Sequence, residues 1–225
     1  SSSAEASDAL ARGAYAQLAP ILAADKDPRS EDDKKPNPIK VYGTPEARDE
    51  AALAAYRKVD SSSSGAAPFL AKLGEAGVLL QQSKWDEAIG AYGEVLQSPL
   101  APEDIDVKGR ALEGRGLAEE GKGEYDTALA TFEELGGLGD VGFDGVSKLH
   151  QARIYADNKG EKDKAKELLK EVKKSVEQAN LSASKDKAGR PYDWLLSAVD
   201  ESLRVIDPSK PPPAKVLRVL PVNTG

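Results

Sequence analysis

Lys84-Trp85-Asp86-Glu87-Ala88-Ile89-Gly90-Ala91-Tyr92-Gly93-Glu94-Val95-Leu96 decides how this chain is read, because its pattern returns forty residues on as Glu124-Tyr125-Asp126-Thr127-Ala128-Leu129-Ala130-Thr131-Phe132-Glu133-Glu134-Leu135. In both copies an aromatic residue stands three places before an alanine and a second aromatic four places after it. Positions three or four apart share a face of a helix, so each copy presents a stripe of ring, methyl and ring. The alanine lets a neighbouring helix approach while the rings fill the space on either side. A weaker copy is Lys164-Ala165-Lys166-Glu167-Leu168-Leu169-Lys170-Glu171-Val172, with Leu169 in the second ring slot. Another lies upstream in Ala51-Ala52-Leu53-Ala54-Ala55-Tyr56-Arg57-Lys58-Val59. The anchor alanines 52, 88, 128 and 165 are spaced by 36, 40 and 37 residues, a period that marks an array of helix pairs.

The first helix of each pair extends the pattern. Around Ala128, Gly116 lies twelve residues before the anchor and Gly123 five before; around Ala88 the same places hold Ala76 and Ser83. Around Ala165 the turn keeps Gly160, but Arg153 and Lys162 replace the small residue and the ring. These residues resemble the tetratricopeptide repeat family over roughly residues 45–180, with the last pair a degenerate or terminal repeat. The resemblance implies an all-α, right-handed superhelical solenoid of three to four helix pairs with capping helices at both ends. It also implies a concave groove lined by the first helix of each pair, at 18, 15, 11, 8 and 7 residues before the anchor. Those places hold Arg110, Glu113, Leu117, Glu120 and Gly121 for one pair, and Ser147, His150, Ile154, Asp157 and Asn158 for the next. The candidate binding residues are therefore Arg110, Glu113, Leu117, Glu120, His150, Ile154 and Asp157. For the pair at Ala88 the places hold Leu70, Leu73, Gly77, Leu80 and Gln81, apolar enough that the N-terminal helix is expected to cover them. No array of lysine and arginine occurs there, so the carboxylate clamp of chaperone adaptors in this family is absent.

Composition narrows the function. The chain has 225 residues, 40% hydrophobic and only 5% aromatic, which suits closely packed helices better than sheet. Charged residues make up 31% for a formal net charge of -7, in mixed-sign runs such as 159–174. That is the solvated side of helices and lacks the basic stripe of a nucleic-acid partner. With no cysteine, disulfides, thiolate metal sites and cysteine nucleophiles are excluded. There is no methionine, so we expect a processed or truncated chain, with any signal or anchor upstream of Ser1. No apolar run approaches the roughly 20 residues that cross a bilayer.

In chain order, a helix is expected over 4–24, interrupted at Pro20, followed by a polar linker over 25–44. Residues 1–44 thus form one region, 45–206 the repeat domain, and 207–225 a Pro-rich tail. Thr44-Pro45-Glu46 signals a helix start. Helices follow at about 45–59, 66–82, 84–97, 102–121, 124–135, 144–159, 161–179 and 191–206, with Gly136–Gly142 read as a break. In the tail, Val216-Leu217-Arg218-Val219-Leu220 beyond Pro211–Pro213 is expected to be a short strand or an internal ligand.

Motifs with chemical meaning dissolve on inspection. Gly137-Leu138-Gly139-Asp140-Val141-Gly142 has the letters of a dinucleotide fingerprint, but a helix precedes it where a strand is required. Gly116 to Lys122 falls short of a phosphate loop because Gly123 replaces the hydroxyl residue that would hold magnesium. Asp157-Asn158-Lys159-Gly160-Glu161 puts a lysine where a calcium loop needs an oxygen. His150 is the sole histidine and has no nucleophile or metal-binding company in its pattern. We therefore expect no enzyme and no cofactor. The expected function is a protein-interaction module for protein or peptide clients, without nucleic acid, touching membrane only through a segment upstream of Ser1. The resemblance points to membrane-anchored periplasmic repeat proteins that accompany the Sec translocon. An outer-membrane assembly lipoprotein scaffold and a cytosolic adaptor are the alternatives.

Overall fold

The structure is a computed structural model that describes residues 3–22, 41–185 and 189–208. Among the described residues it is all α-helical, with one isolated bridge between Ile21 and Tyr42 and no strand. The helices are α1 (Ser3–Leu18), α2 (Pro45–Tyr56), α3 (Ala67–Gln81), α4 (Trp85–Leu96), α5 (Ile105–Lys122), α6 (Tyr125–Gly136), α7 (Val141–Asp157), α8 (Lys162–Lys185) and α9 (Asp193–Ile206). The chain divides into two compact units, Ser1–Leu138 and Gly139–Gly225.

Local chemistry sets the helix ends. Thr44 caps α2 by accepting from Ala47 N at 3.2 Å, with Pro45 at the first helical position, where its missing N–H costs nothing. Asp104 caps α5 through the amides of Asp106 and Val107. Two expected boundaries move. The first helix ends at Leu18 and does not run through Pro20 to residue 24, because proline cannot continue the backbone ladder. The glycine-rich break is shorter than expected: Asp140 accepts from Phe143 N at 3.0 Å and starts α7 at Val141. Residues 23–40, most of the expected linker, lie outside the described residues, as does the tail segment Val216–Leu220.

The turn five residues before each anchor has one conformation in three copies. Ser83, Gly123 and Gly160 all adopt left-handed backbone, with φ of 57°, 87° and 72°. Glycine takes this region freely, whereas serine bears the steric cost of its Cβ. Ser83→Gly should therefore raise stability by about 1 kcal/mol, read as an upward shift of the urea midpoint.

In the first unit the second rings lock neighbouring helices through glycine notches. Tyr56, on α2, lies against both Gly13 of α1 and Gly74 of α3, each bare of the Cβ that would occupy the ring's place. Tyr92, on α4, fills the same kind of notch at Gly114 of α5, and Phe132, on α6, sits on Gly116 of α5. The anchors Ala52, Ala88 and Ala128 are all fully buried. α1 packs on α2 and α3, and Gly13 meets Tyr56 much as Gly116 meets Phe132. So α1 takes the place of a first helix paired with α2, although residues 19–44 intervene in sequence. The bridge, with Leu22 N donating to Tyr42 O at 2.9 Å and Tyr42 N to Pro20 O at 3.2 Å, holds the far end of α1 beside the start of α2.

The second unit packs α7, α8 and α9 together around Leu169, Val172, Val176, Leu195 and Val199. Gly145 of α7 provides the notch for Leu195. Asn180, 1% exposed, clamps the start of α9: its Oδ1 accepts from Tyr192 N and its Nδ2 donates to Asp193, both at 3.1 Å.

Candidate interaction face

The open side of α5 follows from what its other sides must bury. Val107, Ala111, Gly114 and Ala118, with Leu112, Gly116 and Glu119, are turned inward. Among the positions left outside that core, Asp106, Arg110, Glu113, Leu117 and Glu120 form one stripe three or four residues apart. Arg110 is exposed, and Glu113, Leu117 and Glu120 are half-buried, so the structure brings these four predicted residues onto one row.

The row on α3 corresponds to it by position. Gly74 and Gly114 each lie fourteen residues before an anchor alanine, and each receives the ring of the preceding pair. The two helices are thus rotated alike about that notch. Leu70, Leu73, Gly77 and Leu80 on α3 stand as Arg110, Glu113, Leu117 and Glu120 do on α5, and α3 packs against α5. The three leucines are half-buried and lean on the core cluster. α1 packs against α3 and meets this row at Gly77, where a Cβ would stand 3.5 Å from Gln17 Nε2.

Beneath the two rows lies the Tyr92 hydroxyl, 3.9 Å from where a Gly77 Cβ would be and against Gly114 on the other side. The corresponding hydroxyl one pair earlier, Tyr56, donates to Gln17 Oε1 at 2.9 Å. Burial, and then the negative charge of Glu113, push the Tyr92 phenol up to about 12. Since the folded state holds this proton more tightly than the unfolded state, the associated stability is complete below the ordinary tyrosine value near 10. It is lost as pH climbs from there through about 12. In an ultraviolet titration, Glu113→Gln should bring the late phenol down and Tyr92→Phe should remove it.

The other predicted residues lie on α7 in the second unit. His150 is half-buried and Asp157 exposed, but Ile154 is fully buried in the core and offers no surface to a partner. The notches explain the difference, because Gly145 rather than the slot at Arg153 receives the packed side chain. Among the described residues no group of acidic or histidine side chains is arranged to hold a metal ion, and no helix is long and apolar enough to cross a membrane. At the Gly137–Gly142 segment the Asp140 carboxylate already occupies the amide of Phe143 where a phosphate would sit.

Sequence reading missed two parts of this site. The glycines fourteen residues before each anchor were visible at 74 and 114 but were not recognised as ring seats, and Tyr92 was assigned to packing alone. This chain matches no protein-family model, and no curated protein or solved structure matches it.

Proposed function

We propose that this chain is a non-catalytic interaction module of tetratricopeptide-like helix pairs, arranged as a right-handed solenoid, that holds peptide segments against the α3–α5 face. The observation that supports this is the shared glycine notch, which sets successive first helices side by side with corresponding, incompletely buried rows. A row of half-buried leucines beside a row of charged residues is a surface that gains contact when a side chain is laid between them. Such contacts give modest, transient affinity. The resemblance of the repeats to membrane-anchored periplasmic proteins supports an extracytoplasmic bacterial setting. The genomic sequence upstream of Ser1 would distinguish an apolar span, a lipobox cysteine and neither, the last favouring a cytosolic adaptor.

The direct test is a peptide array probed with the purified chain. Leu117→Glu should weaken the strongest binders at least about tenfold, because it places a charge where an apolar contact forms, while leaving the circular dichroism unchanged. Unaltered binding by that variant would move the site off this face.

A further inference from the structure

We propose that the occupant of the α3–α5 face is a basic amphipathic helix, lying along the furrow with its apolar stripe on the α3 leucines and its lysine or arginine flank on α5. This rests on the reading of that face as the binding surface and adds the chemistry of the partner. The two rows differ in kind. On α3 the half-buried positions are Leu70, Leu73 and Leu80, with Gly77 between them, flanked by Gln17 Nε2 and the Tyr92 hydroxyl. On α5 the row holds the carboxylates Asp106, Glu113 and Glu120 together with Arg110 and Leu117. Where α1 meets α3, Gln17 stands beside Gly77; if α5 follows α3 by the same step, Leu80 comes beside Leu117 and the apolar strip continues between the rows.

Rows on adjacent packed helices run about 8–10 Å apart. A segment lying between them is therefore met by leucine on one side and carboxylate on the other along its whole length. A helix presents two such stripes next to each other, whereas a strand turns every second side chain away. From Leu70 to Leu80 is about 15 Å of helix, or three turns, so a partner helix of ten to twelve residues spans the row. The net charge of -7 draws a cationic segment toward the chain before contact.

Three synthetic peptides of about 14 residues test this, sharing one leucine stripe at helical spacing and differing only in lysine, glutamine or glutamate on the flank. Fluorescence anisotropy with the full chain should rank lysine first and glutamate last, and the lysine peptide should weaken as salt rises. Glu113→Gln with Glu120→Gln should weaken the lysine peptide about tenfold and leave the glutamine peptide unchanged. Arg110→Glu should tighten the lysine peptide, a gain that misfolding cannot imitate. Equal binding of all three peptides, still lost on Leu117→Glu, would overturn the basic partner while the binding face stands. Lysine-peptide binding that ignores both the double variant and Leu80→Glu would place the basic helix elsewhere and overturn the proposal. If none of the three binds while array peptides do, the partner is not a basic helix. If neither set binds, the binding face itself falls.

Discussion

Gly114→Ala should destabilise the first unit by about 1–3 kcal/mol, although it replaces glycine by the best helix former within a helix. The intrinsic gain is about 0.5–1 kcal/mol. Against it stands the ring of Tyr92, which occupies the position of the new Cβ and is itself 4% exposed with no room to withdraw. Overpacking wins, and the sign reverses once the ring is gone: in a Tyr92→Ala background the same substitution should stabilise. Gly90 and Gly93 provide the comparison, since nothing lies within 4 Å of a Cβ at either. Their alanine variants should melt about 2–4 °C higher. A thermal melt in which Gly114→Ala joined them would mean that the notch is not a ring seat.

The second large effect lies in a charged side chain that stands among the largest fully buried ones of the described residues. Glu119 is 1% exposed and accepts from Thr131 Oγ1 at 2.6 Å and from Arg115 Nε at 2.8 Å. The Thr131 bond ties α6 to α5, the Arg115 bond lies within α5, and together they balance a carboxylate that has left water. Removing one partner leaves the charge stranded, which in a sealed site costs about 3–5 kcal/mol. Arg115 is 37% exposed, so water screens part of that interaction. We expect Arg115→Leu to cost about 2–3 kcal/mol and Thr131→Val about 1–3 kcal/mol. Replacing Glu119 and Thr131 together by leucine and valine should cost less than Thr131→Val alone, because the buried carboxylate is gone and Arg115, 37% exposed, can turn to water. Urea unfolding of the set would show whether the two positions are coupled.

The helix pairs were legible because each carries its own local signals. Ring, alanine and ring at helical spacing mark the second helix, and a small residue twelve places earlier marks the first. The cap Thr44-Pro45 placed the start of α2. The face of α7 was not legible, because a face is assigned by what packs on it. Ile154 sits at a groove spacing counted from Ala165, yet the small residue that should define that spacing is Arg153, so the rotation of α7 was not fixed by sequence. The role of α1 was hidden for another reason. Its Gly13 is the partner of Tyr56, but residues 19–44 break the period that would have revealed the pairing.

That break has a kinetic consequence. Residues 82–84 and 123–124 are all that separate α3 from α4 and α5 from α6, whereas residues 19–44 stand between α1 and α2. Closing a connection some tenfold longer costs the unfolded chain about 2 kcal/mol more. The local hairpins therefore assemble first, and α1 is the last element of its unit to dock. By the same difference it is the first to open under native conditions, so its amides should exchange with deuterium sooner than those of α4 or α6. Release of α1 strips the Tyr56 ring of Gly13 and its hydroxyl of Gln17, so one slow equilibrium at the amino-terminal edge sets how long that ring stays covered.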